Sequence, residues 1–259
     1  MSAREPLSVF VTTLDNAGTL RRCLESVAFA EEIVVLDSGS TDASEAIARS
    51  AGAKWFVEPF KGYGVLKASA LAKTTHRWAL LLDADEALTP ESAAAVQQAL
   101  VMPQAAGFTL PRREQVFWTW QHEAARHNPM LRLFDKQRAR FSSDPIHAAP
   151  EVEGTVVALS TPFLHYGEPD IATKVAKVNH YSSGVVEARL RRGVRFPRVR
   201  MLLQPWWQFF RNYVLKRRFL SGWAGLISSI VEAFYVFLKY AKVYEAQRKE
   251  KGEKGDGGH

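Results

Sequence analysis

Cysteine is nearly absent: Cys23 is the one thiol among 259 residues. No disulfide can form within the chain, which fits a reducing compartment. Cys23 lies among helix formers and reads as core rather than as a nucleophile. A signal peptide is also missing. Met1 to Pro6 is polar and the apolar run from Leu7 to Val11 is too short, so a cytosolic start is expected. No G-x-x-x-x-G-K-[ST] string occurs, which excludes a P-loop nucleotidase. Gly62-Tyr63-Gly64-Val65-Leu66-Lys67 lacks the third glycine of a dinucleotide fingerprint and follows the third expected strand, not the first. A nicotinamide or flavin site is therefore excluded. Acids are absent from Arg189 to Arg218, a stretch holding ten Lys or Arg in a chain of net charge +7. Such a block implies an anionic surface, membrane or nucleic acid.

What is present is enough apolar residue, 47%, for a sizeable core. Leu7–Thr13, Glu32–Leu36, Lys54–Val57 and Trp78–Leu82 read as strands. The segments Thr19–Val27, Ala43–Ser50 and Val65–Lys73 between them read as helices, with Asn16 as a candidate cap for the first. This alternation predicts an α/β fold, an open, largely parallel sheet with helices on both faces. Ligands of such sheets bind beyond the carboxyl ends of the strands, where Thr12, Asp37 and Asp83 fall. Pro90 opens a further helix and Gly107–Pro111 reads as a strand. Arg112 to Pro129 has no clean period. Met130–Phe134 and Ala139–Phe141 are expected to pair as a hairpin, Val152–Leu159 to form a strand, and Asp170–Arg192 a helix.

The last third changes character. Pro205-Trp206-Trp207-Gln208-Phe209-Phe210 is aromatic, and Phe219–Leu238 is apolar with Glu232 as its one charge. Twenty such residues are long enough to span a bilayer. However, Ser221, Gly225, Ser228, Glu232 and Lys239 recur at helical spacing opposite Trp223, Ile227, Ile230, Phe234, Phe237 and Leu238. That pattern predicts an amphipathic helix lying on a membrane surface or packed on the main domain. Tryptophans interleaved with arginines suit lipid headgroups better than nucleic acid, so no nucleic-acid partner is expected. The expected division is a catalytic domain over 1–188, a basic, aromatic helical extension over 189–248 and a disordered tail over 249–259.

The chemistry centres on Leu82-Asp83-Ala84-Asp85-Glu86, three acids closing an apolar strand. Alternation points Asp83 and Asp85 the same way, and two close carboxylates favour a shared Mg²⁺ or Mn²⁺. The plainer reading is an acidic loop capping the next helix. A haloacid-dehalogenase-like phosphatase is an alternative, but Ala87 stands where that motif has Thr or Val, and the motif sits on the fourth strand. Asp37 is expected to bond a base or ribose hydroxyl of a nucleoside, with strand-end and helix-cap chemistry at this turn left to Asp42. Lys67 could offset phosphate charge. His147 and His165 could each close a metal site or be structural. Arg132 could meet a phosphate or a carboxylate.

Together, Val9-Phe10-Val11-Thr12-Thr13, Val34 to Asp42, Gly62-Tyr63-Gly64 with Lys67, and Leu81 to Glu86 resemble the family 2 glycosyltransferases of the GT-A fold. Arg132-Leu133-Phe134, His147, His165-Tyr166, Lys174 to Asn179 with Tyr181, and Arg211-Asn212-Tyr213 with Phe219 to Gly222 resemble the branch that adds β-glucose to lipopolysaccharide core heptose. The resemblance implies a Rossmann-like mixed sheet and inverting hexosyl transfer from a nucleotide sugar, UDP-linked by expectation, to a membrane-associated glycolipid. The enzyme would sit on the cytoplasmic face of the membrane. Thr12 and Asp37 would hold the nucleoside, and Lys67 and Arg132 would lie by the donor. Asp83, Asp85 and His147 would hold a divalent cation. The chain departs from the branch at Asn128, where an Asp is expected, and at Ala148, where a Glu is expected. The base is then left open among Glu114, Glu123, Asp144 and Glu151. A non-catalytic membrane-binding protein on the same scaffold is the reading from another class.

Overall fold

Strand β1 (Leu7–Thr13) is buried along its whole length because both of its faces are covered. Val9 and Val11 face one helical layer; Phe10 faces the other. The computed structural model describes residues 4–141, 149–193 and 196–256. The chain divides into two compact units. The first comprises the described residues up to Arg113 and His127–Gly167; the second comprises Glu114–Arg126 and the chain from Glu168 onward. The boundary expected at 188 instead falls inside a helix of the second unit.

In the first unit β1 is followed by α1 (Ala17–Glu25), β2 (Glu32–Asp37), α2 (Ser44–Ser50), β3 (Lys54–Val57), α3 (Tyr63–Ala72), β4 (Trp78–Asp83), β5 (Glu86–Leu88) and α4 (Pro90–Ala99). β6 (Gly107–Val116) runs across the unit boundary, β7 (Thr119–Trp120) pairs with its end, and β8 (Asn128–Asp135) returns to the first unit. β9 (Ala139–Phe141), β10 (Pro150–Val152), β11 (Val156–Ala158) and β12 (Phe163–His165) complete it. The sheet order is β3-β2-β1-β4-β8-β6-β12-β5, with β11 beside β6. The first four strands are parallel; β4–β8, β8–β6 and β12–β5 are antiparallel. Helices α1, α2 and α4 cover the Val9, Val35, Leu80 and Leu82 face. α3 covers the Phe10, Leu36 and Leu81 face. This is the mixed sheet with helices on both faces.

Several local expectations are corrected. The segment Met130–Phe134 does not pair with Ala139–Phe141. It lies between β4 and β6 in the sheet, and β9 pairs with β10 in a separate ribbon. An apolar run buried on both faces belongs inside a sheet rather than in a surface hairpin. Asn16 does not cap α1: its side chain donates to the Leu14 carbonyl at 2.7 Å, while Ala17 N–H donates to Asp42 Oδ2 at 2.8 Å. A full carboxylate borrowed from the next loop replaces the local amide. Val152–Leu159 splits at Gly154, which has a φ of 121°. The irregular region after Arg112 contains the rest of β6 and a tight turn.

In the second unit the helix expected over Asp170–Arg192 is two, α5 (Ile171–Gly184), capped by Asp170, and α6 (Val186–Arg191). α7 (Pro197–Phe210) leads into a π-helical turn (Arg211–Leu215), a 3₁₀ turn (Arg218–Ser221) and the long helix α8 (Gly222–Asp256). α8 extends past Glu250, so the composition-based expectation of disorder from 249 is corrected for residues 249–256. An i,i+4 pair between Glu245 and Lys249 at 3.2 Å supports its last turns.

The small and polar stripe of α8 faces inward. Ala224, Ser228, Ser229 and Val231 are buried, and Glu232 accepts from Arg218 (2.5 Å), Asn212 (2.5 Å) and Lys174 (3.3 Å). Lys174 also pairs with Glu168. At Gly225 an added Cβ would stand 1.9 Å from the Arg218 carbonyl, so only glycine permits the 3₁₀ turn to lie against the helix. Of the opposite stripe, Trp223, Ile230, Phe234 and Phe237 are exposed, while Leu238 is half-buried and Ile227 packs against Val116, Phe117 and Ala224; Val199, Leu203, Trp206, Trp207 and Phe210 of α7 are exposed too.

Candidate active site at the strand ends

Parallel register brings the ends of three strands level. Thr12 sits between Leu36 of β2 and Asp83 of β4, and Thr13 lies opposite Asp37. A two-residue turn then joins β4 to β5 and is held from within. Asp83 N–H donates to Glu86 Oε2 at 2.9 Å, and Tyr166 N–H donates to the Asp85 carbonyl at 2.8 Å. Antiparallel pairing sets His165 of β12 opposite Glu86. His165 Nε2 thereby lies 3.3 Å from Asp85 Oδ2. A Cβ on Gly167 would come within 2.5 Å of the His165 ring, so this glycine leaves the imidazole its place.

Asp83 is met by cations on both oxygens: Lys67 Nζ at 2.6 Å from Oδ1 and Arg132 Nη2 at 3.5 Å from Oδ2. Burial pushes the Asp83 carboxyl up, but the Lys67 and Arg132 charges outweigh it and hold it at about 2. Arg132 is buried and bonds Glu86 Oε1 at 2.5 Å, with Arg112 at 3.9 Å from the same oxygen. Its guanidinium also lies 5.2 Å from the centre of the Phe163 ring. Burial pushes Glu86 above the ordinary carboxylate value; Arg132 opposes that shift and Asp83 adds to it. The buried Arg132 Nε has no hydrogen-bond partner among the described residues.

Asp37 is buried, and its carboxylate accepts from Gly39 N (2.9 Å), Ser40 N (2.7 Å) and Ser40 Oγ (2.5 Å). It organises its own turn. Asp15 accepts from Thr41 N at 2.7 Å, so the loops after β1 and β2 are stitched together. The side chains of Thr13 and Ser38 each carry a buried hydroxyl without a partner among the described residues.

Among the described residues, no three His, Cys, Asp or Glu side chains gather around one point. The donor pair Asp85 and His165 nevertheless fits a divalent ion that takes its remaining ligands from phosphates and water. Two adjacent donors on such an ion, each about 2.1 Å from it, stand roughly 3 Å apart. Asp83 does not face this point as a bare anion, since Lys67 and Arg132 neutralise it. His147 and Asp144 lie outside the described residues. Glu151 is exposed on β10 and pairs with Arg140 at 3.2 Å. Glu114 and Glu123 belong to the second unit.

Strand–helix alternation placed Thr12, Asp37 and Asp83 at strand ends; the structure adds that Lys67 and Arg132 both reach Asp83. Sequence reasoning passed over Glu86 as the anchor of Arg132, although Glu86 is the third acid of the same string. The turn signal of Asp144 and Pro145 favoured His147 over His165. The signal for His165 was the Phe163-Leu164-His165 alternation, which marks a short strand able to pair beside the acids.

The fold is of the GT-A class. A solved structure of the mannosyltransferase PcManGT from Pyrobaculum calidifontis, in complex with GDP-Man and Mn²⁺, matches with a TM-score of 0.54 at 14% identity, over 93% of this chain and 87% of that one. The chain belongs to glycosyl transferase family 2, whose family model matches residues 8–150. The lipopolysaccharide core biosynthesis glycosyltransferase LpsC of Rhizobium meliloti (strain 1021) is 30% identical over 260 residues, 95% of this chain and 94% of that protein. An uncharacterized glycosyltransferase of Rickettsia felis is 30% identical over 265 residues, 95% of this chain and 92% of that one. Membership in this family sets the phosphatase alternative aside.

Proposed function

We propose that this protein is an inverting hexosyltransferase that moves a sugar, glucose by preference, from a UDP-linked donor to a glycolipid of the lipopolysaccharide core. The observation that carries the reading is the convergence of Thr12, Lys67, Asp83 and the Asp85–His165 pair on one sheet rim. Thr12 and the turn built by Asp37 bind the nucleoside. Asp85 and His165 would hold a Mg²⁺ or Mn²⁺ ion, which would supply charge neutralisation for the departing diphosphate. Lys67, fixed by Asp83, adds a second positive charge beside the donor phosphates, and Arg132 holds the acid turn in shape. A carboxylate among Glu114, Glu123, Asp144 and Glu151 takes the acceptor proton, so that the hydroxyl attacks the anomeric carbon from the face opposite the nucleotide. The transition state is oxocarbenium-like, as in other glycosyl chemistry.

The same reading places the second unit on the cytoplasmic face of the membrane. Arg218–Lys249 is long and apolar enough to span. Glu232 is nevertheless bonded inside the unit, and the apolar stripe with Trp206 and Trp223, each 76% exposed, faces outward. An inward polar stripe and an outward aromatic one suit a helix pair lying in the headgroup layer. Thermal shift against UDP-glucose and other nucleotide sugars, with and without Mn²⁺, tests the donor reading. A nucleotide sugar that stabilises only with the ion supports it, and indifference to the whole panel defeats it.

A further inference from the structure

We propose that Arg189 and Lys239 form a phosphate-binding site on the second unit, separate from the sheet rim. Arg189 comes from α6 and Lys239 from α8, and both lie over the ring of Tyr240. The guanidinium carbon is 5.2 Å and the ammonium 5.0 Å from its centroid. Tyr240 is buried and donates its hydroxyl to Gln204 Oε1 of α7 at 3.2 Å. Three helices therefore meet at one ring, and Tyr235 adds a second aromatic face 5.5 Å from Lys239.

Both cations are half-buried, and among the described residues neither has a carboxylate or hydrogen-bond partner. The neighbouring charges are already used. Glu187 pairs with Arg191 at 3.2 Å, Glu245 pairs with Lys249, and Lys242 is held by Asn179, Ser182 and Ser183. Two like charges taken partly out of water repel each other, and aromatic faces offset only a fraction of that cost. Burial, and then Arg189, draws Lys239 down to about 8. An anion between them reverses both penalties. Phosphate suits the pair better than a carboxylate. Its oxygens accept the arginine fork and the lysine ammonium together, and a phosphate carrying up to two negative charges can balance both cations. The phosphate is either a lipid-headgroup diester or a monoester on a saccharide. The site stands independently of the transferase reading.

The test is calorimetric titration of the full-length protein with glycerol 3-phosphate and with dihexanoyl phosphatidylglycerol below its micelle concentration. The expected result is binding of at least one probe, weakened tenfold or more in R189Q and in K239M and unchanged in R200Q, which removes an exposed arginine of α7. A headgroup source shows as tighter binding of the lipid and a several-fold loss of retention on phosphatidylglycerol vesicles in R189Q/K239M. A saccharide-phosphate source shows as tighter binding of the monoester with vesicle retention unchanged. Either supports the site. Absence of binding in the wild type, or equal binding by R189Q/K239M, overturns it. Should R189Q fold poorly, K239M carries the test, because methionine keeps the apolar stem that packs on the tyrosines.

Discussion

The ammonium of Lys67 occupies Asp83 Oδ1 and leaves Asp85 as the acid beside His165. This division of labour gives separable predictions. Asp85→Ala is expected to abolish transfer from UDP-glucose while leaving the thermal midpoint within a degree or two. Full activity in that variant, assayed by nucleotide release, would refute the site. Lys67→Met is expected to act through Asp83. The folded carboxyl lies near 2 against an ordinary 3.8, so its contribution to stability is complete above about pH 4 and is lost as pH falls toward 2. The variant should therefore be less stable than the wild type at pH 7, and the gap between their urea midpoints should close near pH 2. A gap independent of pH would show that Lys67 acts by packing alone. The acids closing β4 were legible because period-two alternation stacks acids and apolar residues predictably. The ion pairs were not, since Lys67 and Arg132 reach Asp83 from a helix and a strand far apart in sequence.

At the scale of elements, α8 is governed by what its inward stripe touches. Gly225→Ala places a methyl into the Arg218 carbonyl and is expected to destabilise the second unit by about 1–3 kcal/mol or more, read by thermal or urea unfolding. A neutral result would mean that the 3₁₀ turn shifts freely. The amphipathic division of this helix was readable from Ser221, Gly225, Ser228 and Glu232. That its polar side faces the protein was not, because periodicity gives two faces without saying which one is covered. The same limit explains Met130–Phe134: the apolar run marks a strand, but its neighbours depend on chain crossings that no local pattern records. The cap of α1 is hidden from local pattern for a related reason, since the stronger acceptor, Asp42, arrives from the loop after β2.

For the whole molecule, the expected consequence is two-part behaviour. Trp206→Ser with Trp207→Ser should release the protein from anionic vesicles in a flotation assay without changing turnover on a soluble acceptor fragment. Unchanged flotation would place the anchor elsewhere. Turnover itself decides between the transferase and the non-catalytic scaffold that Asn128 and Ala148 leave in play, because only the former consumes UDP-glucose. The parallel half of the fold followed from strand–helix alternation alone. The division into units did not, because the segment Glu114–Arg126 joins a body formed mainly by residues beyond 167.

Cys23 has one more use. Its thiol is wholly buried, pushed up by burial and by the acids above it, and its Sγ lies 3.6 Å from the Asp83 carbonyl. As the sole sulfhydryl in the chain, it is a built-in clock. A chromogenic disulfide can modify it only when α1 parts from the acid turn, so labelling speed counts those openings directly. Donor and Mn²⁺ added together should slow the clock, with no probe to engineer.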